Sequence, residues 1–165
     1  MSKMGTARQV LEAADRLVAA FGEGRVDDYF ACFHPEATFI FYTTDRRLES
    51  TMEWRLLLDR LAREDNFRVL ECFSRERRVQ DLGDGAVFTH DVETHISTRS
   101  GKETLHERET IVFARQEDGS WLAVHDTSHL REASSRCRGT LALMTPRVTP
   151  LSAQHPETAG NHEQE

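Results

Sequence analysis

The chain predicts an α+β fold in which N-terminal helices cover a largely antiparallel sheet. Three observations carry this. Apolar residues recur at three- and four-residue spacing in the first part of the chain, apolar and polar residues alternate in the second, and two turn signals divide that second part into a meander. At 165 residues, with 38% apolar and 30% charged side chains, the chain is the size of one domain with its own core. Residues 1–131 are read as that domain and residues 132–165, rich in Ser and Pro, as a polar, flexible tail.

Val10, Leu11, Ala14, Leu17, Val18 and Phe21 give an amphipathic helix from Thr6 to Phe21, stopped by Gly22 and Gly24. Val26 to Phe33 reads as a short second helix with Tyr29, Phe30 and Phe33 on one side, ended by Pro35. Thr38 to Thr43 is β-branched and aromatic, hence a strand. Ser50-Thr51-Met52-Glu53 matches a capping box and opens a third helix, which carries Trp54, Leu57, Leu58 and Leu61 to about Asp65.

Phe67 to Leu82 reads as a long strand. Ala86–Thr98, Glu103–Gln116 and Trp121–His129 are the three meander strands, joined by Arg99–Lys102 and Glu117–Ser120. Pairing them symmetrically about those turns sets Val112 opposite both His90 and His125, and Arg108 opposite Thr94 and His129. Because alternate residues share a face, Phe88, His90, Arg108 and Thr110 then fall on one side, together with Val112, His125 and Thr127. That side has the character of a cavity wall. The other carries Glu107, Glu109 and Asp126 with Ile111, Phe113, Leu122 and Val124, an apolar content that points to cover by a partner subunit or the tail, so a homodimer is expected.

Composition narrows the function. A net charge of −7 repels a phosphate backbone, so no nucleic acid is expected as a partner. No run of about 20 apolar residues exists to span a bilayer and no apolar leader opens the chain, so no membrane partner and a cytoplasmic location are expected. Cys32, Cys72 and Cys137 are odd in number and widely spaced, which makes reduced thiols the default. The eight histidines give no metal-binding spacing, His125 and His129 lying roughly 13 Å apart along a strand. No metal or cofactor is expected, and no phosphate loop or nucleophile elbow is present in the sequence.

Phe33-His34-Pro35-Glu36-Ala37-Thr38-Phe39, Arg108-Glu109-Thr110-Ile111-Val112-Phe113 and Gly119-Ser120-Trp121-Leu122-Ala123-Val124-His125-Asp126, set within this order of elements, resemble the SnoaL-like division of the nuclear-transport-factor-2-like superfamily. The resemblance covers about residues 8 to 130 and implies a cone, a strongly curved sheet wrapped on three helices around a cavity open at one end. Relatives include ketosteroid isomerase and polyketide cyclases, alongside non-catalytic binding and assembly domains. The carboxylate base that ketosteroid isomerase carries in the first strand has no counterpart among Thr38, Phe39, Ile40, Phe41 and Tyr42. Thr127 stands where such relatives often carry a second histidine.

The expected function is therefore that of a small-molecule pocket protein, either a cofactor-independent isomerase, cyclase or dehydratase-like enzyme acting on a small apolar carbonyl compound, or a non-catalytic ligand-binding or dimeric assembly module. In the enzymatic reading His125 carries the proton and Arg108 stabilises the anion. His90 and Tyr42 orient the ligand, and Trp54, Phe88, Thr110, Thr127 and Val112 line the pocket. In the structural reading His125 is anchored by hydrogen bonds and Arg108 is ion-paired to Glu49, Glu53 or another acid.

Overall fold

The computed structural model describes residues 3–131, and the expected tail lies outside the described residues. Chain order is α1 (Lys3–Gly22), α2 (Val26–Ala31), β1 (Phe33–Phe41), α3 (Thr51–Asp65), β2 (Arg68–Asp81), β3 (Gly85–Thr98), β4 (Gly101–Arg115) and β5 (Trp121–Leu130). The strands form one mixed, unclosed sheet in the order β1-β5-β4-β3-β2. The last four strands are a meander, and β1 joins parallel to β5 at its far edge. No helix among the described residues is long and apolar enough to cross a membrane.

β1 begins at Phe33, which the helical pattern had assigned to α2. Pro35 keeps His34 out of the helical region, and the Cys32 carbonyl accepts the Ala123 N–H at 2.9 Å, drawing the chain into the sheet. The α3 cap forms as the sequence indicates at one end only. Ser50 Oγ accepts the Glu53 N–H at 3.2 Å, while the Glu53 carboxylate accepts from the Glu49 N–H, one residue before the expected Ser50, and from Arg46. Asn66 closes the helix in the left-handed conformation at φ 52°.

The core lies between α1 and the concave side of the sheet. Val10, Ala14 and Leu17 of α1 pack with Phe88, Ile111 and Phe113, and Phe39 of β1 is enclosed beneath them with no exposed surface. Each such aromatic side chain contributes about 2–3 kcal/mol through burial. Gly22 lets the last turn of α1 rest directly on β2, since a Cβ there would stand 3.0 Å from the Cys72 backbone nitrogen.

Two features of register decide what faces the interior. Thr98 pairs with Gly101, so the β3–β4 turn is the two residues Arg99-Ser100, made possible by Gly101 at φ 123°. Val112 consequently faces Val87 instead of His90, and His90 faces Glu109. The β4–β5 pairs Val112–His125 and Arg108–His129 are those the sequence predicts, but a bulge follows: Phe113 pairs with Ala123, leaving Val124 unmatched. Trp121 and Ala123 therefore point inward on one side of the bulge, and Asp126 and Ser128 on the other. Further irregularities in the β1–β5 and β2–β3 pairings bend the same sheet around the helices.

Candidate functional site

Together these register features exchange the faces of β4 and of the second half of β5. Arg108, Thr110, Val112, His125 and Thr127 lie on the convex face, away from the helices, because a displacement by an odd number of residues turns every side chain over. Arg108 is exposed and its Nε donates to Asp91 Oδ1 at 3.0 Å, where Arg131 also pairs at 2.7 Å. Its acid is thus Asp91, not Glu49 or Glu53. His125 Nδ1 meets Thr38 Oγ1 at 2.8 Å across the parallel β1–β5 pair. Partial burial pushes its imidazole below the usual range, hydrogen bonding to the Thr38 backbone opposes this and the Arg47 charge adds to it. Thr127 Oγ1 donates to the Ile40 carbonyl. His125 and Arg108 do not share a hollow.

The concave face does enclose a cavity, of about 80 Å³, between α1, α3 and all five strands. That is room for several waters or a small ligand fragment. Tyr42 and Trp54 are among its lining residues. His90 stands behind its wall, 2% exposed, and Phe88 is wholly within the core with its ring 4.6 Å from that of His90. In place of the expected histidine and arginine, the cavity presents three carboxyl groups, Glu107, Glu109 and Asp126. Among its described lining residues no Lys, Arg or His balances them.

These acids are what the facial assignment missed. A signal for them was present: Glu107 and Glu109 share the alternation of Ile111 and Phe113, the two β4 side chains that are fully buried. Acids in phase with core residues are inward-facing acids. Asp126 shares that face in the sequence pairing as well, and the bulge at Val124 brings Trp121 and Ala123, instead of Leu122, to the same side as Asp126.

Their chemistry follows from enclosure. Asp126 is buried at 3% exposure, and its Oδ1 has no hydrogen-bond partner among the described residues. Desolvation, reinforced by the Glu109 and Glu107 charges, raises its carboxyl well above the ordinary range, which favours the neutral acid. Glu107 is half-buried and lines the cavity. Burial and then the Glu109 charge push it up to about 8, against the opposing influence of the Ser128 and Tyr42 hydroxyls. The Tyr29 hydroxyl accepts from Trp54 Nε1 at 3.1 Å and keeps its own proton, which burial and nearby Asp126 hold firmly. Burial and nearby Glu107 likewise raise Tyr42. An apolar chamber thus holds proton donors and an acid poised near neutrality.

The SnoaL-like domain family matches residues 10–132. The chain belongs to the SnoaL-like family. This SnoaL-like fold is shared by solved structures of low sequence identity. The S. rosetta CaMKII hub matches at TM-score 0.63 and 21% identity, over 76% of this chain and 96% of that one. A ketosteroid isomerase-like protein from Erwinia carotovora atroseptica gives 0.64 and 14%, over 77% and 97%. An NTF2-like protein from Cytophaga hutchinsonii gives 0.64 and 12%, over 79% and 100%. No curated protein matches the SnoaL-like chain significantly. The cone expected from the sequence is the fold found.

Proposed function

We propose that this SnoaL-like chain is a cofactor-independent proton-transfer enzyme, of the isomerase, cyclase or dehydratase kind, acting on a small, largely apolar carbonyl compound. One observation carries the reading: among the described residues Asp126 Oδ1 is buried without a partner, beside a second acid, Glu107, held near 8. An unpartnered buried oxygen costs about 1–3 kcal/mol, a cost that a ligand hydrogen bond removes.

In this mechanism the ligand carbonyl oxygen lies against Asp126 and Tyr29, whose protons stabilise the charge that develops as an enolate forms. Glu107 takes the proton from the carbon next to the carbonyl. A carboxylate whose conjugate acid is held near 8 is a far stronger base than one in water, and close to the pH at which it must work. Returning the proton to another position of the enolate completes an isomerisation. The aromatic walls, including Phe41 and Trp54, exclude water and grip the apolar remainder.

The convex face supports a homodimer as the assembled form. Across it run Val87, Val112, His125 and Thr38, and beside them Thr89, Thr110, Thr127 and Ile40, the last 45% exposed. Sedimentation at micromolar concentration reads this directly.

The enzymatic reading is tested with a panel of small cyclic and aromatic ketones in D2O, following deuterium uptake next to the carbonyl by NMR. At least one ketone should exchange on the native protein, and E107Q and D126N should each slow it by about 100-fold or more. Binding without exchange by the native chain would move it to the non-catalytic class.

A further inference from the structure

Glu109 lines the cavity, and its Oε2 lies 3.0 Å from His90 Nε2. On the other side of the same ring, Nδ1 lies 2.7 Å from Ser74 Oγ. The His90 side chain itself has no exposed surface. Ser74 opens on different ground, a broad groove between α1 and β2 whose walls include Asp15, Gly22, Arg75 and Arg77. Register produces this arrangement: His90 is the cross-strand partner of Glu109 on one side, and on the other Ser74 pairs with Val92, one inward position along from His90. Three side chains from three adjacent strands therefore make one unbranched hydrogen-bonded line from an enclosed carboxyl to an outside groove.

We propose that Ser74, His90 and Glu109 form a proton relay through the wall of the cone, exchanging protons between the cavity and the α1–β2 groove. The relay gives the proton-transfer reading of the cavity its link to solvent, yet conduction along it needs no substrate. Each member suits the part. A hydroxyl donates and accepts at once, and a neutral imidazole accepts at one nitrogen while donating at the other.

Once the Glu109 carboxylate has taken up a proton from the cavity, and with the ring protonated at Nδ1, Glu109 passes that proton to Nε2. The Nδ1 proton moves to Ser74 Oγ, and the hydroxyl proton of Ser74 leaves to a groove water. Glu109 is then a carboxylate, the ring carries its proton at Nε2, and one proton has left the cavity. The reverse passage, from groove water through Ser74 to Nδ1 and from Nε2 to Glu109, restores the starting state. An isomerisation has no net proton demand, so a path that serves it must run in both directions. A proton that Glu107 takes from a substrate carbon, once handed inside the cavity to Glu109, then mixes with solvent although the mouth is filled by ligand.

The test is the exchange of the His90 ring N–H with water, measured by NMR on the full chain labelled with nitrogen-15 histidine. In the native protein this proton should exchange at least 100-fold faster than the backbone amide of its enclosed neighbour Phe88. S74V, which fills the site without a hydroxyl, should slow the ring exchange tenfold or more, while E109Q leaves it within about twofold, because the groove end is intact. Ring exchange as slow as the Phe88 amide would overturn the relay from the native protein alone, whether or not S74V folds. Slowing by E109Q but not S74V would overturn it too, placing the route through the mouth. Ketone turnover is a separate reading, so the relay and the enzymatic function fail independently.

Discussion

His90 and Glu109 are cross-strand partners whose side chains meet at 3.0 Å on the concave face, a pairing set by the two-residue turn at Arg99-Ser100. A buried ring with both nitrogens bonded is expensive to remove. His90→Ala leaves Ser74 and Glu109 facing a void and should cost about 3 kcal/mol in urea unfolding. A loss under 1 kcal/mol would mean that the ring is not enclosed in solution.

Raised acids make stability fall with pH. In the unfolded chain Glu107 and Asp126 ionise near their ordinary values, whereas in the folded chain they hold their protons to higher pH, Glu107 to about 8. The unfolded state therefore binds fewer protons in between, and the folded state loses stability as pH rises from the ordinary carboxylate range toward 8. The decline should be on the order of 3 kcal/mol over that span. E107Q and D126N should each flatten it, giving a higher Tm than native at pH 8 and a similar one at pH 5. A native profile flat across this window removes the raised acids.

Arg108→Ala should cost under about 1 kcal/mol, because the guanidinium is exposed and Asp91 keeps Arg131 as a partner. Arg131→Ala in the R108A background should cost more than either alone, since Asp91 is then left without a cation. Chemical denaturation of the four proteins gives the coupling, and additive losses would show that the two arginines do not share Asp91.

Gly22→Ala tests the seat of α1 on β2. The added methyl meets the Cys72 backbone nitrogen at 3.0 Å and its Cβ at 3.1 Å, neither of which is a flexible chain end. A loss of about 1–2 kcal/mol is expected despite the better helix propensity of alanine. Gain of stability would show that the helix end stands off the strand.

The outline of the fold was legible because it rests on local chemistry. The helical stripe from Val10 to Phe21, the Ser50 cap, and the turns at Asp118-Gly119-Ser120 each act within a few residues, and all three stand in the structure. Tyr42 and Trp54 stand out in the sequence for a local reason too, as aromatic side chains at the edge of a strand and on a helix stripe. The interior of the cavity was not. Alternation reveals that two faces exist and which residues of one strand share a face, but the relation between strands is set by pairing.

The sequence by itself determined the elements, their order and the family. Only the tertiary structure decided which ionisable groups meet, by putting two residues in the β3–β4 turn and one extra residue, Val124, in β5. Side chains alternate with a period of two, so each of these choices of a single residue turns a whole run of side chains over. That reversal places Glu107, Glu109 and Asp126 inside and sends Arg108 and His125 out. The energy that selects it is the burial of Ile111 and Phe113, a quantity shared among distant segments and written in none of them alone.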